Sequence, residues 1–284
     1  MRQNRLEPQG TGMDTVTGTA GRSSRGSVLG RGATTAAIAI VAYAAMDMCH
    51  EVLGHGVATL FVDDVTPVSL TTVALSSKGA SRLVALAGPL MNLVLGVLAM
   101  AWFRRRTTVG TGTFFMWLFA TVNLLNGTGY PMYSGILDFG DMAAVIAGWQ
   151  PHLLWRTGLA VLGAAGYYLA LRVASASLAR WLDAGGVRRK VIPRLTWPGY
   201  VAGGLLLVAG AAMNPIPNLV LLVGVSGGFG CMFGMVFVPA LLEPAAAEAA
   251  GEVPWGFSWT WVGGAVLVAA LFVFAVGPGI ALHA

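Results

Sequence analysis

Apolar residues run along this chain in long blocks rather than in one-sided stripes. The blocks are Thr34–Val62, Leu83–Phe103, Thr113–Leu125, Leu153–Val173, Tyr200–Met213, Pro217–Leu242 and Trp259–Ile280. A helix needs about 20 residues to cross a hydrocarbon core, so Thr113–Leu125 and Tyr200–Met213 are short, and six or seven transmembrane helices are expected. The weakly polar stretch from Asn126 to Trp149 predicts a broken or re-entrant helix, tolerable only where protein or a watery cavity covers its backbone. Between the first two blocks, Val62–Gly79 holds Pro67, Thr71, Thr72 and Val73 and predicts a small β-prone segment. The fold class is thus an all-α polytopic membrane protein with that segment after its first helix.

Composition agrees, with 56% hydrophobic and only 10% charged residues, a balance that excludes an ordinary soluble domain. Met1–Ala33, rich in Arg, Gly, Ser and Thr, reads as a disordered basic tail, and no short apolar stretch that would mark a cleavable signal precedes the first block. Residues 34–150 then form one unit and 151–284 contribute additional transmembrane helices. The net charge of +5 resides in the tail and in loops, where basic residues report topology, so no nucleic-acid partner is expected. Three clusters orient the chain: Arg22/Arg25/Arg31, Arg104–Arg106, and Arg172 through Arg188–Lys190. They fit a cytoplasmic amino terminus in a multi-pass protein of the plasma (inner) membrane. Cys49 and Cys231 both lie in apolar blocks and read as small buried hydrophobes, giving no disulfide framework.

The chemistry concentrates in the first block. Asp47, His50, Glu51 and His55 sit in a segment apolar enough to span a bilayer, where each charged group costs roughly 2.5–3.5 kcal/mol. A metal site buried in protein and reached by water is the economical reading, against a core of hydrogen-bonded histidines. Zinc hydrolysis needs two neutral imidazoles, a third ligand, an open position for water and a carboxylate base. His50 and His55 supply the imidazoles and Glu51 the base. Five residues apart on an ideal α-helix, the histidines diverge by about 140°. A π-bulge, eased by Gly54, restores convergence. The string His50-Glu51-Val52-Leu53-Gly54-His55 also resembles the zinc motif of dipeptidyl peptidase III.

Two further segments carry a family resemblance. Gly88-Pro89-Leu90-Met91-Asn92 is similar to the Gly-Pro-x-x-Asn signature of the site-2 proteases, intramembrane zinc metalloproteases. Asn123 and Asn126, then Tyr130-Pro131 and Leu137-Asp138-Phe139-Gly140-Asp141, resemble their Asn, Pro-loop and Leu-Asp-Gly elements in the expected order. The chain departs from the pattern at the histidine spacing and at Phe139. This resemblance covers about Ala36 to Trp149 and implies a catalytic core in residues 34–150, a membrane-associated sheet at Val62–Gly79, and a third zinc ligand from Asp138 or Asp141. Literal alignment points to Asp138. Asp141 is favoured slightly, because it follows the flexible Gly140 and opens the apolar turn Met142–Ile146. Asp47, Asn92, Asn123 and Asn126 are expected as outer hydrogen-bond partners or as contacts for an unwound substrate backbone.

The resulting expectation is a zinc metallopeptidase cleaving membrane-embedded or membrane-adjacent segments of a protein or peptide substrate. The alternatives are a non-catalytic metal-binding regulator on the same scaffold, or a transporter using the polar first helix as a proton relay. His152 and His283, at block ends, are expected to be interfacial.

Overall fold

The computed structural model describes residues 20–216, 218, 220–242 and 249–282. The expected tail at 1–19, and His283, lie outside the described residues. Helix α1 (Ala20–Met48) begins before the apolar block does, so residues 20–33 are helical here. It continues as a π-helix through Cys49–Gly56 and closes with α2 (Val57–Thr59). Among the described residues, six segments are long and apolar enough to cross a membrane: Val28–Thr59, Arg82–Phe103, His152–Ala184, Arg189–Ala212, Leu222–Leu241 and Trp259–Val276.

The two short blocks resolve differently. Tyr200–Met213 is the carboxyl half of a full-length helix, α7 (Ile192–Ala212), with Pro193 in its first turn, where a missing N–H leaves no hydrogen bond unmade. Thr113–Leu125 is the start of α4 (Thr111–Leu137), which runs through Pro131 without the break expected after Asn126. Its polar residues are accommodated because it packs against α1, α3 (Arg82–Phe103) and α6 (His152–Ala184). Phe114, Trp117, Leu118 and Leu125 are fully buried there. The chain breaks instead at Asp138 and Gly140, whose φ angles are 53° and 84°, before the short α5 (Asp141–Ile146). The glycine-rich block near the carboxyl end is π-helical over Val220–Gly230 and 3-10 helical over Phe233–Leu241. It is followed by α8 (Trp259–Ala270), extended as a π-helix to Val276.

The β-prone segment is a hairpin, β1 (Thr66–Leu70) against β2 (Leu75–Lys78). Its turn is closed by the Thr71 hydroxyl oxygen, which accepts from Val73 N–H and Ala74 N–H. A third strand, β3 (Ile280–Ala281), pairs antiparallel with β1, giving the order β2-β1-β3. The last apolar block was expected to be helical as far as Ile280. A two-residue strand has no period that a sequence pattern can reveal.

Contacts between helix ends fix which termini share a side. Thr34 donates to Gly256 O and accepts from Ser258 N–H, and Glu252 pairs with both Arg31 and Arg188. Arg180 donates to Arg104 O and Trp181 to Thr108 O. The Arg31–Thr34 turn of α1, the end of α3, the starts of α4 and α8 and the end of α6 therefore lie together. Members of all three arginine clusters meet at this end. At the opposite end stand the sheet and α5, together with two arginines held by local bonds. Arg82 donates to Ala147 O, and Arg156 donates to Gly135 O and Ile136 O.

Candidate metal centre

The π-helical turn brings His50 and His55 to one point. Their Nε2 atoms are 3.2 Å apart, and Asp141 Oδ2 lies 3.0 Å from the first and 3.3 Å from the second. An ideal α-helix would have splayed the rings, so the extra residue per turn creates the site. His50, His55 and Asp141 are the one group among the described residues that offers three such ligand atoms within reach of a common ion.

Hydrogen bonds set the tautomers. Asn123 Nδ2 donates to Phe119 O (2.8 Å), which leaves its Oδ1 to accept from Asn92 Nδ2 (2.8 Å); Asn92 Nδ2 also donates to Met46 O (3.2 Å). The amide oxygen of Asn92 is thereby turned to His50 Nδ1, 2.5 Å away, and that nitrogen must carry a proton. His55 Nδ1 donates to Val84 O at 2.7 Å. With both Nδ1 atoms protonated, the two neutral rings aim Nε2 lone pairs at each other and at a carboxylate oxygen. Three lone pairs converging at such distances require a cation between them, either protons or a metal. A metal 2.0–2.1 Å from tetrahedrally placed ligands sets those ligands about 3.3 Å apart, and the observed 3.0–3.3 Å edges fit it.

Burial opposes the charge of Asp141; when the two Nε2 atoms carry protons, their hydrogen bonds from His50 and His55 outweigh that effect and hold the carboxyl well below the usual carboxylate range. Asp138 is not brought to the site. It closes α4 in a left-handed conformation that aspartate tolerates, and its carboxylate pairs with His152 (3.0 Å) and Arg156 (3.5 Å) near the surface. Sequence alone left His152 as an interfacial residue; here it is the partner of Asp138.

Glu51 is buried, and its Oε2 accepts from Leu75 N–H, at the start of β2, at 2.6 Å. It interacts electrostatically with His50, His55 and Asp141. Asp47 does not join the metal group: its Oδ2 is buried without a hydrogen-bond partner. Asn126 Oδ1 is likewise unpartnered, and the residue lines a small space with Tyr130, Tyr133 and Cys231. Cys49 lies half-buried in the π-helix and Cys231 is buried, both as free thiols.

Two contributors had no assigned chemistry in the sequence. Tyr130 stacks on His50, with ring centroids 5.3 Å apart and planes 27° from parallel, and holds the ring's other face. Gly88 lies against both imidazoles, for a Cβ there would be 2.5 Å from each Nε2. Packing is part of its role too, since a Cβ on Gly54 would meet Gly88 Cα at 2.6 Å. The Gly-Pro motif signalled Gly88 by type, whereas nothing local signalled the Val84 carbonyl or the Leu75 amide, which act through backbone atoms. No protein-family model, curated protein or solved structure matches the chain.

Proposed function

We propose that the chain is a multi-pass membrane zinc metalloprotease resembling the site-2 proteases, cleaving membrane-embedded or membrane-adjacent segments. The observation that carries this reading is the convergence of His50 Nε2, His55 Nε2 and Asp141 Oδ2, with Glu51 next to His50 in the chain. Bound there, zinc would supply a Lewis acid for the scissile carbonyl and would lower the pKa of water. Glu51 has one oxygen fixed by the Leu75 amide, which leaves the other to take a proton from the attacking water and pass it to the leaving nitrogen. Asn92, through His50 Nδ1, and Val84, through His55 Nδ1, keep both rings aimed while this happens.

A helical substrate shields its carbonyls, so it must be extended to be cut. The outer edge of β2 is unpaired among the described strands and begins at the residue that holds Glu51. It offers backbone groups to which an extended segment can add as a further strand. Helix-end contacts and arginine clustering support an amino terminus on the cytoplasmic side, with the site toward the opposite leaflet.

A metal-binding regulator is the second reading, favoured by the same short bond from Leu75 to Glu51, which gives the carboxylate a structural use. One experiment separates these readings. Zinc is measured in purified wild type and in His50→Ala/His55→Ala, and cleavage of a membrane substrate is measured in wild type and Glu51→Gln. Metal content unchanged by the double substitution would refute the centre. Full cleavage by Glu51→Gln would refute Glu51 as base.

A further inference from the structure

Two arithmetic facts place a membrane boundary on the arginine-rich end. Helix α6 has 33 residues, about 50 Å at 1.5 Å per residue, well beyond a hydrocarbon core of roughly 30 Å. Its apolar stretch Leu153–Val173 accounts for about 31 Å of that, and Arg172 stands at its end. Helix α3 has 22 residues, about 33 Å, and ends at Phe103 beside Arg104. Arg104 and Arg172 line one cavity of about 330 Å³, so the two helices reach the headgroup level at the same place. Trp102 marks it as well, with the Arg106 guanidinium 4.3 Å from its ring centroid.

That cavity converges positive charge. Arg104, Arg172 and Arg180 surround it, Ala176 and Ser177 form a small-residue floor, and no carboxylate lines it among the described residues. The described acids at this end are engaged: Glu252 by Arg31 and Arg188, and Asp183, at the neighbouring cavity, by Arg189. An adjoining cavity of about 300 Å³ shares Arg172, Ala176 and Arg180 and adds both the Asp183–Arg189 ion pair and the apolar Leu241 and Leu242. Arginines that only report topology need to lie near a span end; they need not close around a cavity with an apolar flank.

We infer that this groove binds the phosphate of an anionic phospholipid from the adjacent leaflet, with an acyl chain along Leu241 and Leu242. The inference rests on the helices crossing a bilayer and not on the metal centre, so loss of zinc leaves it standing. The test is titration of delipidated full-length protein with phosphatidylglycerol or phosphatidylcholine, read by native mass spectrometry. Wild type should prefer phosphatidylglycerol. Affinity should fall roughly fivefold in Arg172→Gln and about 30-fold in Arg172→Gln/Arg180→Gln, with roughly 1 kcal/mol per arginine near a membrane surface. Arg172→Lys, which keeps the charge, should retain the preference. Equal binding of the two lipids, unchanged affinity in both Gln variants, or equal loss in Arg172→Lys and Arg172→Gln would overturn the proposal. Complete displacement of phosphatidylglycerol by inorganic phosphate would also overturn it, showing a site for the free anion.

Discussion

Replacing Gly88 by alanine tests the metal centre with a single methyl group. The added carbon would lie 2.5 Å from both Nε2 atoms and 2.7 Å from His55 Cε1. Unstrained contacts between such atoms lie near 3.5 Å, so about 1 Å of overlap must be relieved. Neither ring can swing freely, because His50 is held at Nδ1 by Asn92 and His55 by Val84. Metal ligands tolerate roughly 0.2 Å of displacement. Loss of an outer partner alone typically costs about 10–100-fold in affinity, and displacing the ligands themselves should cost at least ~100-fold. The α3 helix does not suffer intrinsically, since alanine is a better helix former than glycine by about 1 kcal/mol. Overpacking opposes this by about 1–3 kcal/mol. Gly96→Ala provides the control: its Cβ would meet Leu124 Cγ and N at 2.8 Å, a comparable clash between α3 and α4 away from the histidines. Zinc per chain by elemental analysis, and affinity by competition with a chromophoric chelator, should fall for Gly88→Ala and stay near wild type for Gly96→Ala. Wild-type affinity in Gly88→Ala, or an equal loss in Gly96→Ala, would refute the placement of the imidazoles.

Other expectations follow from the same geometry. Asp141→Asn should lose zinc while Asp138→Asn keeps it, with a stability change for the latter within about 1 kcal/mol because its ion pairs are near the surface; elemental analysis and thermal melts check this. Asn92→Leu removes the acceptor for His50 Nδ1 and should weaken zinc about 10–100-fold, read by chelator competition. Glu51→Gln should retain zinc and lose proteolysis, because the amide cannot take the proton from water; a cleavage assay on a membrane substrate decides it. Acid should release the metal, with affinity falling up to about a hundredfold per pH unit once both imidazoles bind protons, since each must give up a proton at Nε2 to ligate. A flat pH dependence would mean that the histidines are not ligands.

The hydrophobic blocks alone predicted a helical chain with six or seven segments long enough to cross a membrane, because that depends on summed apolarity and rise per residue; six such helices are present among the described residues. They could not place the carboxyl limit of α4 or the start of α7. Pro131 and Pro193 are helix-compatible only by virtue of their neighbours and position. If the histidines share a metal, their spacing, five where a regular helix wants four, called for a local distortion such as a π-bulge, and a π-helical turn is present at Cys49–Gly56. Glu51, His50 and His55 were therefore legible as a group within one segment. Choosing between Asp138 and Asp141 was different, since the residues are three apart in a break whose direction is set by two positive φ angles and by α5 packing on α3. Only the tertiary structure turns Asp141 inward and leaves Asp138 to His152 and Arg156. The same holds for β3, the Leu75 amide and the Val84 carbonyl. Their contributions come from backbone atoms, which every residue type shares and no sequence pattern can single out.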